Sequence, residues 1–101
     1  MEIIAKLSDQ IDEELGDADK YIKCAIKHKD DDAELAKLYY TLSLEEMKHV
    51  NMLHDEVKKI ITAYRAKNGE PPKEMLWVYN YLHEKQIDRA SQIKAKQDGF
   101  K

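Results

Sequence analysis

Residues 35–60 read LAKLYYTLSLEEMKHVNMLHDEVKKI. Leu35, Leu38, Leu42, Leu53, Val57 and Ile60 fall on one register of steps of three and four residues, which gathers them on one stripe of an α-helix. Two positions of that register, 46 and 49, carry Glu and His instead of an apolar side chain. A helix long enough to carry this stripe runs from about Asp32 to Lys67 and would measure about 54 Å if straight. Asp31, followed by Glu34, supplies an acceptor for its cap and acid for its first turn. Asn68-Gly69 closes it, with glycine suited to a left-handed residue, and Pro71-Pro72 prevents continuation.

The same reading extends upstream. From about Glu2 to Lys29 a helical seam takes in Leu7, Ile11, position 14, Ala18, Tyr21 and Ala25, and position 14 is Glu. A four-residue loop, Lys29 to Asp32, joins the two helices, and so short a connection makes them an antiparallel hairpin. Downstream, a third helix from about Pro72 to Asp98 uses Leu76, Tyr79, Leu82, Ile87, Ala90 and Ile93 and stops at Gly99. The expected architecture is all-α: one helical domain over residues 1–101, with a long hairpin at about 2–67 and a C-terminal helix at about 72–98. Two long helices and a partial cover cannot bury both apolar faces, so pairing with a second copy into a four-helix bundle is the expected way to complete the core.

Composition agrees. Of 101 residues, 43% are hydrophobic and 37% charged, with 3 Gly and 2 Pro, which excludes a disordered chain and favours helix. The net charge of −3 leaves no basic footprint for nucleic acid. No apolar run approaches the roughly 20 residues that span a bilayer. The N-terminal MEIIAKLSDQ is broken by charge too early for a signal peptide. The single Cys24 rules out an internal disulfide and fits a reducing compartment. The expectation is a cytoplasmic protein, or one held inside a cytoplasmic protein nanocompartment.

The polar interruptions carry the functional signal. An ionised carboxylate in a bundle seam costs several kcal/mol unless something answers its charge. Glu46 and His49, three apart, share one helix face. In four-helix bundles Glu-x-x-His holds iron or manganese together with a single Glu from a neighbouring helix. Glu14 is that Glu by register; shifted by one residue, Glu13 takes its place. A complete di-metal site needs two Glu-x-x-His helices and two single-Glu helices. This chain has only one Glu-x-x-His, because Ala25, Asn51 and Asn80 precede His28, His54 and His83 by three. One chain therefore holds half a site, and an isologous dimer supplies four Glu and two His.

At Glu13-Glu14-Leu15, Asp19, Tyr21 and Glu45-Glu46-x-x-His49 the chain resembles the encapsulated ferritins, ferritin-like di-iron proteins with short helical-hairpin protomers. The resemblance spans roughly residues 8–60. It implies that Glu14, Glu46 and His49 ligate iron, as a di-iron site shared by two protomers, and act as a ferroxidase in iron storage or detoxification. It implies a homodimer as the minimum unit, a larger ring such as a decamer, and residence in an encapsulin shell. The chain departs from the pattern at Gly16 and Lys20, which bear on the route by which iron enters. Its last residues, QIKAKQDGFK, do not form an apolar shell-targeting tail, and its third helix is longer than the family's. Mn, Zn or Ca fits the same donor set. Two other readings stand beside the ferroxidase: a structural or adaptor protein whose metal only fixes dimer register, and a metal-free helical partner-binding protein. Tyr21, Tyr39 and Tyr40, Met47 and Met52, and the His83-Glu84 pair read as packing or surface residues.

Overall fold

Small residues set how the first two helices meet. The computed structural model, which describes residues 2–101, contains α1 (Glu2–His28), α2 (Ala33–Asn68) and α3 (Lys73–Phe100). On α1 the buried residues are Ile4, Leu7, Ile11, Leu15, Ala18, Ile22 and Ala25; on α2 they are Ala36, Ser43, Val50 and Val57. The α2 set repeats at intervals of seven, the signature of a seam packed along a near-antiparallel neighbour. Ala18, Ala25, Ala36 and Ser43 let the hairpin close tightly at its loop end, while Leu7, Ile11, Leu15, Val50 and Val57 fill its middle and far end.

On α1 the core keeps the expected Leu7, Ile11, Ala18 and Ala25 and departs only at positions 14 and 21, whereas on α2 it sits one position away from the expected seam except at Val57. Leu15 and Ile22 are fully buried where positions 14 and 21 were expected, and Val50 replaces position 49. One residue is a rotation of about 100°, so the expected α2 stripe lies on the neighbouring face of the hairpin. Leu35, Leu42, Leu53 and Ile60 are half-buried there, and Leu38 is 53% exposed.

The loop also differs in one residue. The cap of α2 is Asp32, whose Oδ1 accepts from the Leu35 amide at 3.1 Å. Asp31 instead meets His28 Nδ1 at 3.1 Å, on the preceding helix end. At the other end of α2, Gly69 has φ 78° and ψ −163°, a conformation that only glycine adopts without strain, and its amide donates to the Arg65 carbonyl at 3.0 Å.

Along α3 the apolar pattern is weak, and polar groups do the docking. Ile93 is buried, but Leu82 and Ile87 are exposed, and Gln86 and Gln97 are buried in their stead. Gln97 Nε2 donates to Ser43 Oγ at 2.8 Å, and Ser43 Oγ donates to the Ala18 carbonyl at 2.7 Å, tying all three helices together. Lys96 meets Asp19 at 2.6 Å. α3 does not stop at Gly99; the last turn is held by Phe100 stacked on Tyr40 at 4.8 Å. The result is a rod of 55 × 18 × 18 Å with α3 parallel to α1. Among the described residues no helix is long and apolar enough to cross a membrane.

Candidate metal centre

The two grooves of the α1–α2 hairpin have different fates. Ser8, Asp12 and Asp19 on α1 bond to α3. Glu14 lies roughly 120–160° around the helix from them, on the groove that α3 leaves open. Glu46 and His49 reach the same open groove from α2. Their i, i+3 spacing aligns them along one face, and the antiparallel pairing brings that face level with Glu14.

Glu14, Glu46 and His49 each offer one ligand atom within 4.8 Å of the other two. His49 Nδ1 stands 3.4 Å from Glu14 Oε2 and 3.7 Å from Glu46 Oε1. The side chains are graded in depth: Glu46 is 19% exposed, Glu14 29% and His49 52%. Oε2 of Glu14 and Oε2 of Glu46 are both shut off from solvent and lack any hydrogen-bond donor. A buried carboxylate oxygen without a donor costs about 1–3 kcal/mol, and here there are two, with no Lys or Arg paired to either carboxylate among the described residues. A cation is the simplest answer to that arrangement, and two hard oxygens with one imidazole nitrogen suit iron, manganese or zinc.

Glu13, the alternative one register away, is exposed and stands outside the converging group, on the rim of a shallow cleft of about 320 Å³. Gln10, Met52 and Leu53 complete that rim. Met52 is exposed and fills no space within the chain, while Met47 packs against the core. Asp17 is exposed and lies outside the group. Gly16 faces Arg89 of α3, so it stands on the covered side of the hairpin. Lys20 is exposed.

Other residues singled out by sequence have structural surroundings. Burial disfavours the charged form of Asp19, but Lys23 at 2.8 Å and Lys96 at 2.6 Å outweigh it and hold the carboxyl below the ordinary range. Tyr21 stacks on Tyr39 at 6.2 Å, and Tyr39 on His28 at 6.3 Å, forming an aromatic run toward the hairpin loop. Cys24 is half-buried and free. Sequence reading missed the contacts of His54, His83 and Gln86, because their partners lie on other helices and no spacing within one helix signals them. Compared with known protein families, curated proteins and solved structures, the chain finds no match.

Proposed function

We propose that this protein is a ferroxidase of the di-iron carboxylate kind, linked to iron storage or detoxification, whose site is completed by a second copy of the chain. The observation that carries the reading is the pair of buried, donor-less carboxylate oxygens beside His49 in a groove that none of the described residues covers. Three ligand atoms are half the complement of a bimetallic site. Two copies meeting groove to groove bring four carboxylates and two imidazoles, and the four negative charges balance two divalent cations. The half-exposed leucines along the same groove supply the apolar contact, and Leu38 and Met52 leave water on pairing.

Ferrous iron is the substrate in this scheme. Dioxygen takes one electron from each of two ferrous ions, together with two protons, leaving two ferric ions and hydrogen peroxide. Glu14 and Glu46 offer hard oxygen donors that favour the more highly charged ferric product. His49 supplies the nitrogen donor from the lip of the groove. The surrounding leucines limit water at the site and so strengthen every charge interaction there.

Anaerobic loading with ferrous iron followed by air tests the reading. The wild-type protein consumes oxygen and develops a ferric absorbance, and both vanish in Glu46→Ala and His49→Ala. Metal binding without oxygen consumption would instead assign the site to a register-fixing ion.

A further inference from the structure

On the covered side of the hairpin, away from Glu14, Glu46 and His49, lies a second concentration of chemistry. The N-terminal half of α3 stands off α2 and leaves a cavity of about 750 Å³. Ile4, Ile11, Val57, Ile61, Met75 and Tyr79 line it, and His54 from α2 and His83 from α3 sit in its wall. The two imidazole rings are 4.8 Å apart, centroid to centroid, inclined by 32°.

His54 is held by a chain of polar groups centred on the buried Gln86. Gln86 Nε2 faces three acceptors: the Ser8 carbonyl at 3.2 Å, Ser8 Oγ at 3.0 Å and Asp12 Oδ1 at 3.1 Å. Those acceptors fix which way the amide points, so Gln86 Oε1 is turned to His54 Nε2 at 3.4 Å. An oxygen acceptor at Nε2 selects the tautomer in which Nε2 carries the proton. Nδ1 of His54 is then left with the lone pair. A metal-binding histidine is typically supported in this way, its distal N–H given to a carbonyl or carboxylate that fixes the ring. His83 completes the pair. It stands half-buried on α3 in the wall of the same cavity.

We infer that His54 and His83 form a second metal site, taking a late first-row divalent cation such as Zn²⁺ across α2 and α3, with the Asp12–Gln86 chain as its positioning support. Both rings line the cavity, which gives the ion and its further ligands room. Imidazole nitrogens without a carboxylate favour such ions over the harder metals suited to Glu14 and Glu46. Because the two ligands come from different helices, the ion clamps α3 to the hairpin.

The test uses zinc chloride on the full chain carrying Glu46→Ala and His49→Ala, which disables the groove site and makes the result independent of the ferroxidase reading. Calorimetry should give one zinc per chain, and zinc at about ten times its Kd should raise Tm by roughly 6–11 °C. Adding His54→Ala or His83→Ala should abolish both effects, and Gln86→Leu should weaken binding by about 10–100-fold. X-ray absorption of the zinc-loaded parent should show two imidazole ligands, a readout that does not depend on any further variant folding. Failure of the parent to bind zinc, affinity unchanged by either histidine substitution, or a zinc spectrum without imidazole would each overturn the assignment.

Discussion

Glu46→Leu should make the metal-free protein more stable. Oε2 of Glu46 is buried without a donor, its neighbour Glu14 Oε2 is in the same condition, and their one nearby cation source is His49. Each orphan oxygen costs about 1–3 kcal/mol when fully desolvated. Both side chains keep some solvent contact, so the lower end applies, and removing Glu46 should return about 1 kcal/mol. Leucine at this half-buried position adds apolar contact beside Leu42 and Leu53. For a domain of this size about 1 kcal/mol shifts Tm upward by about 4–8 °C. The assay is a thermal melt in chelator at one protein concentration, repeated with Mn²⁺, which binds such donors without reacting with oxygen. Mn²⁺ at about 100 times its Kd adds about 2.7 kcal/mol to the wild type. It adds nothing to the variant, so the order of stabilities reverses. A Glu46→Leu protein that melts lower than wild type in chelator, or gains as much from Mn²⁺, refutes the argument that these carboxylates await a cation.

Three further outcomes follow from the packing. Ser43→Ala strips Gln97 Nε2 of its acceptor and the Ala18 carbonyl of its donor, so urea unfolding should show a loss of about 1–3 kcal/mol, partly recovered by adding Gln97→Leu. Gly69→Ala forces a side chain onto φ 78°, ψ −163° and should cost about 1–3 kcal/mol in the same assay, with iron oxidation unchanged. The Asp19 carboxyl is held below its ordinary range when folded, so its stabilising contribution is complete above the unfolded pKa of about 3.9 and is lost as pH falls through the lower folded value. In an acid titration Asp19→Asn should flatten that limb, and an unchanged limb contradicts the Lys23–Asp19–Lys96 arrangement.

The hairpin was legible in sequence because long amphipathic helices with one short loop leave little choice. The seam was legible on α1, where Leu7, Ile11, Ala18 and Ala25 are buried as expected, but on α2 it was read on the neighbouring face. Leu35, Leu38, Leu42 and Leu53 form a more hydrophobic stripe than Ala36, Ser43 and Val50, and periodicity alone favours the former. The structure buries the smaller residues because close helix approach needs them, and leaves the leucine stripe half-open. That leaves Glu14, Glu46 and His49 at the border of the core and not within it. Their convergence could be anticipated from i, i+3 geometry and antiparallel register, both of which are local rules. The docking of α3 could not: Gln86 and Gln97 lie outside its apolar pattern, and their burial depends on acceptors on Ser8, Asp12 and Ser43 far away in the chain. Choosing Asp32 over Asp31 as the cap turned on His28, which captures Asp31 from the preceding helix.

Native mass spectrometry during an anaerobic ferrous titration weighs the idea that one chain carries half a centre. The prediction is a dimer that takes up two iron ions together, with isolated monomers carrying none. Iron held one ion at a time by a protein that stays monomeric would contradict it.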